Sequence, residues 1–218
     1  MDGRGQRVIQ RRTSRWLVAG RGCAAVGWVL WVALQVIAKD PFPPNVSVSQ
    51  YGIGEFGWVF TVWAVALAAA PLLLLRGDPV PGPARWLLRT GFAGAAVMAV
   101  VRTDEGGGAM SWHAWVHMVG AVVALVFLPL GILVALRFAD RRTRRIAGVL
   151  GVAAAVVGAL VLVSATGVDT AGLGAAASWA LWQGTLVVID MLLVTVYAVT
   201  AGRSTARIPA AAGGDWLA

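Results

Sequence analysis

The chain has 218 residues, of which 59% are hydrophobic and 13% charged, with a mean hydropathy of +0.76. That balance excludes an ordinary soluble domain. The net charge of +8 is explained by basic loops meeting anionic lipid headgroups, which leaves no case for nucleic-acid binding. The single cysteine, Cys23, excludes an intrachain disulfide or a cysteine zinc site and is read as a small packing residue.

The apolar runs predict an all-α polytopic bundle of six transmembrane helices, at 22–38, 55–75, 86–101, 112–136, 146–165 and 177–200. The runs do not alternate, so a membrane β-barrel is not expected. Residues 1–21 read as a basic cytoplasmic tail, 22–200 as the transmembrane domain and 201–218 as a disordered Ala/Gly/Ser-rich cytoplasmic tail. The first run reads as a retained helix, because no small-x-small cleavage site follows it before Lys39. Sixteen of the 18 basic residues precede the first run or lie at 76–89, 137–145 and 203–207; the alternate loops hold only Lys39 and Arg102, against Asp40, Glu55, Asp104, Glu105 and Asp169. Lys and Arg stay cytoplasmic, so both termini are expected inside and an acidic surface outside, in a multi-pass protein of the cell membrane. Trp16, Trp58, Trp86, Trp112 and Trp179 fall at span ends, where indoles favour the headgroup layer. Loop 39–54 is broken by Pro and Gly, and the three glycines of loop 102–111 allow flexibility or close approach of a ligand.

Asp190 is the most unusual residue. It lies mid-way along the sixth run, where a charged side chain costs about 2.5–3.5 kcal/mol on insertion scales, so it is expected to be neutral or paired. Gln183, Asp190 and Tyr197 recur every seven residues and share one helix face. Interhelical hydrogen bonding and a functional proton site both account for Asp190. His113 and His117 share a face at the start of the fourth helix, but zinc takes three or four ligands and no H-E-x-x-H motif is present, so no metal is expected. His117 is either a proton-transfer group or a partner for a backbone carbonyl.

Glu55, Asp104, Glu105, His113, His117 and Gln183 should all lie near the exterior interface. Adjacent carboxylates such as Asp104 and Glu105 can share a proton, which makes one of them a general acid. Solvated loop charge is the simpler account of both, and a favourable helix N-terminus that of Glu55. Eleven tryptophans exceed what interface belts use. Trp31, which shares a stripe with Trp28 and Gln35, together with Trp63, Trp115, Trp182 and Tyr51, would line a lipophilic pocket whose π-faces stabilise a cation. Packing alone accounts for any one of them. There is no phosphate-binding loop, nucleophile elbow, membrane-embedded Lys or aspartate-rich diphosphate motif, and no cofactor is implied.

The stretches SVSQYGIGEFGWVFTVWAVALA and VRTDEGGGAMSWHAWVHMVGAVVALVFLPLGILVALRF resemble an actinobacterial family of six-helix membrane proteins of unknown function, DUF998. Ser49, Tyr51, Gly52, Thr103, Asp104 and His117 match its pattern. Val101-Arg102 replaces a Phe-Pro pair and Gln183-Gly184 a Gln-Arg pair, which suggests a specialised branch. The resemblance covers roughly residues 20–200 and implies a fold, not an activity. A looser similarity, in size, topology, acids and tryptophan content, is to small membrane-bound terpene cyclases of bacterial secondary metabolism.

Three functions follow. The leading one is an isomerase or lyase that cyclises an isoprenoid or prenylated aromatic. A carboxyl group of Asp104, Glu105, Glu55 or Asp190 protonates an alkene or epoxide, tryptophans stabilise the cation, and His117 or Gln183 orients the acid or takes the final proton. It predicts one cavity of roughly 300–1,000 Å³ that gathers acids and tryptophans. A proton-coupled transporter centred on Asp190 predicts a polar path reaching both faces, although no inverted repeat is visible. A non-enzymatic membrane partner predicts a closed bundle with Asp190 bonded between helices. The first two imply a lipophilic small molecule and surrounding lipid as partners; oligomeric state is left open.

Overall fold

The computed structural model describes residues 3–40, 42, 44–78, 80–105 and 110–203, with backbone alone for 3–13. Its helices are α1 (Gly3–Ala38), α2 (Gly57–Gly77), α3 (Gly82–Val100), α4 (Trp112–Leu136), α5 (Arg141–Ser164) and α6 (Ala175–Thr200), with a 3-10 helix at Val48–Gly52 before α2. Among the described residues there is no strand. The expected tail beyond 203 and the glycine run 106–108 lie outside the described residues.

Local chemistry sets the helix ends. Ser111 accepts the Ala114 N–H at the start of α4, and Asp140 accepts the N–H groups of Arg142 and Thr143 at the start of α5. Pro83 occupies the first turn of α3, where its missing N–H costs nothing. α1 begins at Gly3, well before the run expected from residue 22. Arg and Gln are good helix formers, and hydropathy marks where lipid begins, not where the helix does. Pro71 and Pro129 lie inside α2 and α4.

Ser14–Ala38, α2, α4, α5 and α6 are long and apolar enough to cross a membrane. α3 is not among them, because Arg85 and Arg89 occupy its first half. It packs against α4 along a glycine seam. A Cβ on Gly94 would lie 2.7 Å from the Gly120 carbonyl oxygen, and one on Gly120 would lie 2.8 Å from that of Gly94. Such small residues let helices approach closely inside lipid. α1 pairs with α2 and α5 with α6, and α6 touches α1, α2, α4 and α5. One half of the core is built on Leu74, Leu88, Ile132, Leu193 and Tyr197, the other on Trp31, Leu34, Phe60, Trp63 and Met191. The outer face of α5 exposes Val149, Val152, Val156 and Leu162, a surface that suits lipid and not water. The chain is an integral membrane protein.

Candidate functional site

The end of the bundle where α1 ends and α6 begins is organised by loop carboxylates and one glutamine. Asp40 accepts the N–H groups of Asn45 at 3.0 and 3.1 Å and of Val46 at 2.9 Å. The Ser47 N–H donates to Gln50 Oε1 at 2.8 Å, which starts the 3-10 helix that presents Tyr51. Gln183 Oε1, from α6, accepts the Val48 N–H at 2.7 Å. Gln50 Nε2 donates to the Glu105 carbonyl at 3.0 Å, joining this loop to the one before α4. Asp104 accepts both the Ser111 hydroxyl, at 2.6 Å, and its N–H, at 2.8 Å. Those two bonds hold the Asp104 carboxyl below its ordinary range. Asp169 accepts the Ser178 hydroxyl at 2.6 Å and the N–H groups of Gly174 and Leu173, which lower its pKa to about 2.

Between α1, the 3-10 helix and α6 lies a cleft of about 440 Å³. Trp31 and Tyr51 form an aromatic wall with ring centroids 6.4 Å apart. Gln35, Asp40 and Phe42 stand at the loop end, and Leu181 and Val188 line the α6 side. Tyr51 Oη is 3.5 Å from Gln35 Oε1. Burial, with a smaller contribution from the Asp40 charge, pushes the Tyr51 hydroxyl up from its usual range.

Behind this wall the aromatic contacts continue inward. Trp31 and Trp63 are 5.5 Å apart, Phe60 and Trp63 also 5.5 Å, and Phe60 stacks with His117 at 6.3 Å. His117 is buried; its Nδ1 donates to the Val101 carbonyl at 2.6 Å, while Nε2 has no partner. Trp63 and Asp190 line a separate cavity of about 40 Å³ among α2, α3, α4 and α6. Trp63 Nε1 and Asp190 Oδ1 also lack partners.

The structure therefore brings Trp31, Tyr51, Trp63 and Asp190 into neighbouring spaces, with Gln183 fastening the loop beside them. Glu55 is exposed and lines a smaller cavity that Tyr51 also borders. Asp104 caps its own loop, and the Glu105 side chain is exposed. Trp115 lies half-exposed on a groove between α3 and α4, and Trp182 donates to Thr170 Oγ1 on the α5 side at 2.8 Å. Phe42, Phe60 and Asp40 belong to the site but were not singled out from the sequence for it. For Phe60 the signal was present, since it precedes Trp63 by one helical turn. At the opposite end Asp78 is buried, which raises its carboxyl above the usual range. Among the described residues no three His, Cys, Asp or Glu side chains gather as a metal site requires.

No curated protein and no solved structure matches the chain, and the expected similarity to membrane terpene cyclases is not shown. The profile of one family, described as a protein of unknown function, matches residues 23–200, the whole bundle except the start of α1. On that match the chain belongs to the DUF998 family.

Proposed function

We propose that the chain is a six-span protein of the cell membrane, with both termini cytoplasmic, that binds a lipophilic small molecule in the cleft between α1, the 3-10 helix and α6. The observation that carries this reading is a cleft of about 440 Å³ with Trp31 and Tyr51 on one wall and its polar groups, Gln35 and Asp40, at one end. That volume falls within the roughly 300–1,000 Å³ typical of ligand sites. Aromatic and aliphatic walls suit an isoprenoid or prenylated aromatic body, and Gln35 with the Tyr51 hydroxyl orients its polar end. The carboxylate on this cleft, Asp40, has both oxygens engaged by backbone N–H groups. What supports binding thus does not extend to a proton donor at the ligand, and acid-initiated cyclisation rests only on its binding step. The same step serves a carrier.

The test is photolabelling of the protein in nanodiscs with a diazirine-bearing prenylated indole. Adducts should fall on residues of the cleft and drop several-fold in Trp31→Ala and Gly184→Leu; Gly184 borders the cleft with open space where its Cβ would be. Adducts confined to a second apolar groove, between α4 and α5 and lined by Val122, Leu130, Gly151 and Leu162, would overturn the assignment. Topology is read in a Cys23→Ser background, where Asn45→Cys should react with an impermeant thiol reagent from outside and Arg142→Cys should not.

A further inference from the structure

The small cavity at the centre of the bundle holds more unsatisfied polarity than a packing defect would. Asp190 is 8% exposed and Trp63 3% exposed, and they come from α6 and α2. Asp190 and Trp63 border a space lined otherwise by aliphatic residues, Met98 and Pro129, and Asp190 Oδ1 and Trp63 Nε1 are buried without a hydrogen-bond partner. A buried donor or acceptor left unpaired is costly, the more so at the depth of hydrocarbon.

Two backbone carbonyls add to this. A proline inside a helix leaves without its usual bond the carbonyl four residues earlier. For Pro129 that carbonyl belongs to Leu125, and for Pro71 to Leu67. Leu125 and Leu67 both line this same cavity. Two proline interruptions, on different helices, thus fall on residues that line the space Asp190 and Trp63 share.

We infer that Asp190, Trp63 and the carbonyls of Leu67 and Leu125 form a buried polar site that takes water, with Asp190 as the neutral acid. The size fits: one water needs at least about 10–15 Å³ of such volume, so a cavity of about 40 Å³ takes two or three waters but no isoprenoid. The partners fit as well. Trp63 can only donate, the carbonyls can only accept, and a carboxylic acid does both, so water bridging them satisfies every group. Neutrality follows from the surroundings. α2, α3 and α4 present no Lys, Arg, His, Asp or Glu to the cavity, and α6 none besides Asp190. A carboxylate there would have no counter-charge. The site is separate from the ligand cleft and does not rest on it.

The test is infrared spectroscopy of the full chain in lipid at neutral pH, with and without sodium. Wild-type protein should show a protonated carboxylic C=O band that Asp190→Asn removes. In deuterium oxide the band should shift down within the time of buffer exchange, which shows that water reaches the site. Trp63→Phe should move it to higher frequency, and Pro129→Ala, which restores the Leu125 helical bond, should perturb it. The last two variants retain Asp190 and decide the matter if Asp190→Asn does not fold. The inference is overturned if no such band is lost, if the band ignores deuterium oxide, or if it appears only when sodium is removed. The last result would make the site one for a monovalent cation.

Discussion

Gln183 Oε1 accepts the Val48 N–H at 2.7 Å, fastening the 3-10 helix that carries Tyr51 to the first half of α6. Val48 and Gln183 are both buried. Gln183→Leu should leave the Val48 N–H without an acceptor, at a cost of about 1–3 kcal/mol. Thermal unfolding in detergent should show the loss, and hydrogen exchange should show faster opening at residues 48–52 than elsewhere. An unchanged Val48 amide would mean that Asp40 and Gln50 hold the loop unaided.

Asp169 gives the chain an acid-sensitive fastening. Its pKa falls from 3.8 to about 2 on folding, chiefly through the Ser178 hydroxyl. A depressed carboxyl stabilises the fold fully above its unfolded value and loses that contribution as pH falls through the folded one. The stability difference between wild type and Asp169→Asn should therefore be constant from neutral pH to about pH 5 and shrink between 3.8 and about 2. A difference that stays constant to pH 2 would show that these hydrogen bonds do not discriminate against the protonated acid.

The α3–α4 seam should tolerate no side chain. A Cβ on Gly94 would meet the Gly120 carbonyl oxygen at 2.7 Å and the Ala124 nitrogen at 2.8 Å. Both are backbone atoms that can yield only if the helices part. Gly94→Ala should cost about 1–3 kcal/mol, the usual range for overpacking. Gly148 and Gly158 have open space at the same position, and their Ala variants should be neutral or gain up to about 1 kcal/mol from helix propensity. Comparative thermal unfolding of the three variants settles the ordering.

Arg21 ties α1 to the end of α6. Its Nε donates to the Ala198 carbonyl at 2.9 Å and its Nη2 to that of Ala201 at 3.1 Å. These are carbonyls that the helix end leaves unpaired, and a cation there also complements the helix dipole. Arg21→Ala should speed hydrogen exchange over residues 198–203. Arg21→Lys should recover only part of the protection, because a single ammonium cannot reproduce the two-pronged fork. Full recovery with Lys would assign the effect to charge alone.

Helix positions were legible wherever a cap coincided with the edge of an apolar run. Residues 112–136 were read to the residue, since Ser111 caps one end and Arg137 begins the polar turn at the other. The start of α1 was not legible, because nothing apolar marks a helix that continues out of the lipid. The shared face of Gln183, Asp190 and Tyr197 could be read from spacing, and all three are buried. What each faces could not be read. Gln183 serves a backbone amide from a distant loop, and Asp190 shares a cavity with Trp63 across helices whose register no local pattern fixes. The loop acids looked alike in sequence. Asp40, Asp104 and Asp169 part from Glu55 and Glu105 because the shorter Asp side chain closes tight hydrogen-bonded turns on neighbouring backbone.

The glycine seam also bears on biogenesis. α3 carries Arg85 and Arg89 and lacks the composition to settle in a bilayer alone, whereas α4 is the most apolar of the five helices that qualify. If α3 is the proposed sixth span, the ribosome delivers the weak segment before the strong one. On that proposal α3 is expected to wait at the insertion machinery until α4 follows, so that the two enter lipid as a hairpin joined at Gly94 and Gly120. Damage to that joint would first lower the yield of inserted protein, before any ligand is encountered.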